Sequence, residues 1–377
     1  MMLKVLIVPD SYKGCLSSKE VAQAIEAGIR EIPVEIDVRS FVVADGGEGT
    51  VEAFTEALNG KYRSYDTLDA YLNPITIKIG ELDDKTGIIE VASIVGLHMY
   101  HQDQRNPLIA TSYGIGSIIK SLVIDGFEKI IIGLGGSCTN DGGMGLLQAL
   151  GYRFYDSDDN LLPYQALSLT KINYIDDTEV FDLSGIELIV ASDVTNPLLG
   201  PLGATMVFGP QKGANLDTLG LLEQGMGNYS AVMSKYGYQL DHIVCGGAAG
   251  GIGSALIGVL KANKEQGIEL LLSYLHFDDL LDESTIVISG EGQSDHQSAY
   301  GKVIAGIASH TKPKNVPMYI ISGQLKPGYE ALFKLGVKAA YAIRSKAKDD
   351  QESFTKAPLL IKEVSKELVN SYLRDKY

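Results

Sequence analysis

Apolar residues along the chain gather into short runs that end in Gly, Asp, Ser or Asn, and these runs alternate with stretches of helical periodicity. Residues 3–8 form such a run, closed by Pro9-Asp10. A helix follows. Ser17 and Glu20 have the spacing of a capping box, Leu16 and Val21 that of a hydrophobic staple, and Val21, Ala22, Ile25 and Ile29 recur on one face. Pro33 stops that helix, residues 34–43 read as a second strand, and residues 51–58 as a second helix ending at Asn59-Gly60. Strand, helix, strand, helix predicts a parallel sheet.

Near residue 70 the rhythm changes. Residues 75–79 and 88–91 flank Asp83-Asp84-Lys85-Thr86-Gly87 and read as antiparallel strands. A helix over 112–123 leads to the strand of Ile130, Ile131 and Ile132. Further apolar runs at 188–191, 204–208 and 243–245 read as strands. Runs at 286–289, 318–321 and 339–343 alternate again with helical segments, and Leu360, Ile361, Val364, Leu368 and Tyr372 mark a last amphipathic helix. The expected fold is α/β with two domains. The first is a doubly wound parallel-sheet domain of Rossmann or flavodoxin type, made of residues 1–70 plus 284–377. The second, residues 71–283, is inserted into it and carries a mixed sheet.

Composition narrows the functional classes. The chain has 377 residues, 45% of them hydrophobic and 21% charged, as in ordinary globular proteins. A formal net charge of -15 with no basic run argues against nucleic acid or an anionic membrane as partner. Cys15, Cys138 and Cys245 are too scattered for a CxxC pair or a disulfide framework, which suits a reducing compartment. The apolar run at the start is too short for a secretory or spanning segment, so a cytoplasmic protein is expected.

Polar residues fall repeatedly just after predicted strands, where ligands collect in open α/β sheets. The densest case follows Ile132: Gly133-Leu134-Gly135-Gly136-Ser137-Cys138-Thr139-Asn140-Asp141-Gly142-Gly143, then a helix. A strand, a glycine loop and a helix point backbone N–H groups at an anion, and Gly133, Gly135 and Gly136 let a ligand approach the backbone. Asp10-Ser11-Tyr12-Lys13-Gly14 offers a carboxylate, a hydroxyl and a cation; Lys13 suits a phosphate or a substrate carboxylate, or is a solvated turn lysine. Asp45 and Glu48 sit among glycines and suit Mg²⁺, with Asp45 as helix cap the plainer reading. Asp193 ends an apolar run before Asn196-Pro197 and suits a base or a metal ligand. Lys212 lies in Gly209-Pro210-Gln211-Lys212-Gly213, an ordinary turn composition. Glu291 and Asp295 form a second carboxylate pair, with Lys302 beyond them.

Other signals are weak. His98-Met99-Tyr100-His101 has no further ligand residue near it, and there is no GxxxxGK[ST]. The Gly247–Gly253 loop has the GxxxGxG spacing of some NAD(P)-dependent dehydrogenases. The Tyr-x-x-x-Lys pair that reading wants occurs only as Tyr372 and Lys376, in the last turn.

Taken together the loops resemble the bacterial glycerate kinase family, the type without a P-loop. The matching stretches are Pro9 to Gly14 with Leu16-Ser17, Ala44 to Thr50, Gly133 to Ser137 with Thr139 to Gly143, and Asp193 with Asn196-Pro197-Leu198. Phe208 to Ala214, Gly247 to Gly251, and Gly290-Glu291-Gly292 with Asp295, Gln297, Gly301 and Lys302 complete the set, in order over nearly the whole chain. Gln293 and Ser294 stand where the family usually has a basic residue and leucine, and Tyr12 where Phe is common. The resemblance implies two α/β domains with the site in the cleft, and transfer of phosphate from ATP, with Mg²⁺, to D-glycerate, leaning towards the 2-hydroxyl. Phosphoryl transfer asks mainly for positioning and charge neutralisation. Implied roles follow. Gly133, Gly135, Gly136, Ser137, Asn140 and Lys212 contact the nucleotide; Asp10, Ser11, Lys13, Glu48, Asn196 and Lys302 contact the substrate. Glu291 and Asp295 hold the metal, and Asp193 acts as base, with Asp45 second and Lys13 neutralising phosphate charge. ATP and D-glycerate are the expected partners of a monomer or homodimer. A dehydrogenase and a non-catalytic glycerate or nucleotide sensor are the competing classes.

Overall fold

The computed structural model describes residues 2–43, 46–299 and 302–376. In chain order its strands are β1 (Leu3–Ile7), β2 (Ile36–Ser40), β3 (Lys61–Leu68), β4 (Pro74–Glu81), β5 (Thr86–Glu90), β6 (Lys129–Gly133), β7 (Arg153–Tyr155) and β8 (Tyr174–Asp176). They continue with β9 (Glu187–Ala191), β10 (Asn263–Glu265), β11 (Ile286–Ser289), β12 (Gln293–Ser294), β13 (Met318–Ser322), β14 (Gln324–Leu325) and β15 (Val337–Ala342). The chain divides into two compact units. One comprises Met1–Asp45, Glu56–Leu58 and Ile268–Tyr377, the other Gly46–Thr55 and Asn59–Gly267.

In the first unit five parallel strands are ordered β2-β1-β11-β13-β15. This is the flavodoxin-type order, whose direction reverses between β1 and β11 and opens a crevice at their carboxyl ends. Helix Ser18–Ile29 begins with the expected capping box, Ser17 receiving Glu20 N–H and Glu20 reaching back. Its Val21, Ile25 and Ile29 pack with Ile361, Val364 and Leu368 of helix Ala357–Lys376 and with Val5, Ile7, Ile286 and Ile288 of the sheet. Apolar runs without alternation are what a sheet buried on both faces needs.

The second unit holds a mixed six-stranded sheet, β10-β9-β6-β5-β4-β3, parallel from β10 to β5 and antiparallel thereafter. β3 pairs along its whole length with β4, so residues 61–68 belong to this unit although the change of rhythm placed the boundary near 70. Likewise residues 268–283 go with the first unit. Two expected strands are absent. Ala204–Phe208 is helical: Ala204 and Thr205 are buried while Met206 and Val207 are exposed, a helical rather than alternating pattern. Residues 243–245 are a turn, with Val244 exposed and Cys245 at φ +75°. Among the described residues no helix is long and apolar enough to cross a membrane.

Candidate active site

Each unit gathers one set of the candidate loops. In the second unit the carboxyl ends of β5, β6 and β9 lie in register at Glu90, Gly133 and Ala191. The segments beyond them pack on one another through main-chain contacts. A Cβ on Gly135 would stand 2.5 Å from Gly47 Cα, and one on Gly250, which holds φ +72°, would run into the Thr139 carbonyl. Gly142 N–H bonds to Gly250 O (3.0 Å) and Gly247 N–H to Asn196 O (3.0 Å). Five loops, around residues 46–49, 133–143, 192–198, 209–213 and 245–253, thus form a single block. Gly135 serves this loop-to-loop packing.

Inside the block the polar side chains are mostly committed. Asp141 is fully buried and accepts from Ser112 N–H and Oγ (both 2.8 Å), Gly143 N–H (3.1 Å) and Gly145 N–H (3.2 Å). Burial raises its carboxyl pKa against the pull of those donors. Lys212 is 2% exposed and donates to Ser137 Oγ (3.1 Å) and Thr139 O (2.7 Å). Burial lowers its pKa to about 8. Asn140 donates to Thr205 Oγ1 (3.0 Å), while its Oδ1 has no partner among the described residues. Asp193 is half-buried just past β9, and its charge is one of the influences raising the Cys245 thiol. Asn196 donates to Leu202 O (2.8 Å), and Glu48 is exposed. Glu90, which sequence reasoning missed, accepts Val51 N–H (3.2 Å) at the start of helix Thr50–Ala57. Burial and the nearby Glu48 charge raise its pKa.

In the first unit the set is open. Asp10 N–H bonds to Gly290 O (2.8 Å), carrying the β1–β11 pairing onwards to the reversal point. There a cavity of about 420 Å³ is lined by Asp10 to Lys13 on one side and Glu291 to Gln293 on the other. It extends past Gly323 and Gln324 to Ile343, Arg344, Asp350 and Phe354. Lys13 is exposed; Tyr12 is buried and donates to Ile321 O (2.8 Å). Glu291 accepts from Ser294 Oγ (2.8 Å), and Asp295 accepts from Gln293 Nε2 (3.0 Å). Burial first, and then the charges of Asp10 and Asp295, raise the Glu291 pKa. Mutually repelling carboxylates of this kind suit a divalent cation. Mg²⁺ takes one or two carboxylates and keeps waters, although among the described residues no three acidic, His or Cys side chains cluster tightly enough to cage an ion. Asp45 lies outside the described residues, as does the side chain of Lys302.

Residues 5–373 match the Glycerate kinase family. The chain belongs to that family. A glycerate kinase of Bacillus subtilis (strain 168) is 37% identical over 98% of this chain and 97% of its own length. The Escherichia coli (strain K12) protein named glycerate 2-kinase is 38% identical over 93% of both. A solved structure from Salmonella typhimurium LT2 that carries the name glycerate kinase 2 superposes with a TM-score of 0.87 at 35% identity, over the full length of both chains. As a glycerate kinase the protein is a phosphotransferase, and the Gly247–Gly253 loop needs no dehydrogenase reading. It follows a turn and is wedged against Thr139, Gly142 and Pro197.

Proposed function

We propose that the protein transfers the γ-phosphoryl group of ATP to D-glycerate, at the 2-hydroxyl, with Mg²⁺. The observation that carries this reading is the family match across the chain, joined to strand-end loops that hold the charged groups the reaction needs. The regiochemistry rests on the name of the E. coli relative. Asp193, half-buried beyond β9, takes the proton of the attacking hydroxyl as the new O–P bond forms and the bond to ADP breaks. Lys13, exposed beside the first unit's cavity, neutralises phosphate charge. Glu291 and Asp295, with Asp10 nearby, would hold Mg²⁺, which when bound offsets charge on phosphate oxygens. Lys212 acts indirectly, because its ammonium is spent on Ser137 and Thr139 and so holds the glycine loop in shape. The reducing setting suggested by three free cysteines fits a cytoplasmic enzyme.

³¹P NMR of the protein with ATP, Mg²⁺ and D-glycerate tests this directly. A phosphomonoester signal appearing only with glycerate is expected, with proton coupling to a single C–H. Coupling to a CH₂ would move the reaction to the 3-hydroxyl, and unchanged ATP with folded protein would sink the reading.

A further inference from the structure

The cavity of the first unit is wider than the residues so far given roles. Its walls follow the carboxyl ends of four neighbouring strands, β1, β11, β13 and β15. At the usual strand spacing these ends span about 14 Å, several times what a three-carbon acid needs. The two ends of the cavity differ in chemistry. Towards β1 and β11 it is charged, with Asp10, Lys13 and Glu291. Towards β15 it is mixed: Arg344, Asp350 and Ser353 line it beside Phe354, which is 58% exposed and stands over the buried Ile343 and Ala357. An aromatic ring left this open at the mouth of a cavity is a flat platform without a protein partner among the ring contacts of the described residues. Between the ends stands Arg344, which gives Nε to Asp350 Oδ1 (2.5 Å) and Nη1 to Ala347 O (2.9 Å). Asp350 is highly exposed, and ion pairs of that kind are weak in water, so an incoming polyphosphate competes for the guanidinium. Gln293 and Gln324, bonded to each other at 2.8 Å, line the floor and bring no charge.

We infer that this cavity is the nucleoside triphosphate site, with the base against the exposed Phe354 ring and the phosphates running past Arg344 towards Lys13 and Glu291. A mononucleotide at the reversal point of a flavodoxin-ordered sheet is the general behaviour of such sheets. A polyanion alone would not need the exposed Phe354 ring, and glycerate alone would not fill the length. The inference rests on the kinase reading for the identity of the ligand, but the site can be tested without turnover.

The test is calorimetric titration of the full chain with the magnesium complex of AMP-PNP, a non-hydrolysable ATP analogue, beside steady-state kinetics. Phe354→Ala is expected to weaken AMP-PNP binding and raise KM for ATP about tenfold or more, while KM for glycerate moves less than twofold. Arg344→Gln, a surface change that spares the core if Phe354→Ala misfolds, is expected to shift the same two quantities. If both folded variants bind AMP-PNP as the wild type does, the cavity is not the nucleotide site, whether or not the protein phosphorylates glycerate. Wild-type protein that binds AMP-PNP through Phe354 yet leaves glycerate unphosphorylated would keep the site and remove the kinase reading.

Discussion

The two sets of loops are built on opposite principles. In the second unit, backbone closes on backbone: glycines admit neighbouring main chain, and the side chains of Asp141 and Lys212 are buried, Asp141 answered by Ser112 and by Gly143 and Gly145 N–H, Lys212 by Ser137 and Thr139 of the glycine loop. In the first unit, side chains stand around open volume, with Lys13 exposed and Arg344 half-buried, and Glu291 facing the cavity. The first arrangement holds a shape, and the second receives a ligand. Substitutions in the block should therefore register as lost stability, and those around the cavity as altered ligand dependence.

The largest effect is expected at Asp141. Asp141→Ala strands four buried donors, each costing about 1–3 kcal/mol, so a loss of at least ~4 kcal/mol should appear as a lowered denaturant midpoint. A midpoint near that of the wild type would mean that the block does not depend on its internal bonds. Next comes Lys212. Its folded pKa of about 8 lies below the ordinary 10.5, so the folded state releases its proton first. Stability contributed by this group is therefore present above pH 10.5 and lost as pH falls through 8, a swing of roughly 3 kcal/mol. The unfolding free energy of wild type minus that of Lys212→Met should rise across pH 8–10.5; a flat difference would show that the ammonium is not desolvated. The smallest effect on stability belongs to Glu291→Gln. Burial and the charges of Asp10 and Asp295 already disfavour the ionised form, so the unfolding midpoint should hold or rise slightly. The Mg²⁺ concentration for half-maximal activity should rise about tenfold. A large loss of stability with unchanged Mg²⁺ dependence would erase the contrast between the two regions.

Much of this was legible in advance because strand ends declare themselves. An apolar run stopped by Gly, Asp or Ser located β1, β6, β9 and β11 and the loops beyond them. Helix Ala204–Phe208 reads as a strand because its five residues, four of them apolar, carry no period of their own; only packing makes Met206 and Val207 exposed. Lys212 sits in a turn-like sequence, and nothing local says that its ammonium will be buried under Ser137 and Thr139. Glu90 carries a usable signal, a carboxylate closing an apolar strand. The Phe354 end of the cavity carries none. Ile343, Phe354 and Ala357 read as ordinary core or helix residues, and only the order of the strands brings them beside Asp10 and Glu291.

The pairing of β1 with β11 has a consequence for the order of events on the ribosome. Val5 waits for Ile286, about 280 residues later. At typical synthesis rates that is a delay of roughly 15–55 s. Every strand of the six-stranded sheet is made within it. The apolar face of helix Ser18–Ile29 waits longer still for Ile361, Val364 and Leu368. β1 can meet β2 early, but its other edge, and the helix face beside it, stay uncovered until the segments after residue 285 are made, and these are the surfaces of the nascent chain with most need of protection from other chains.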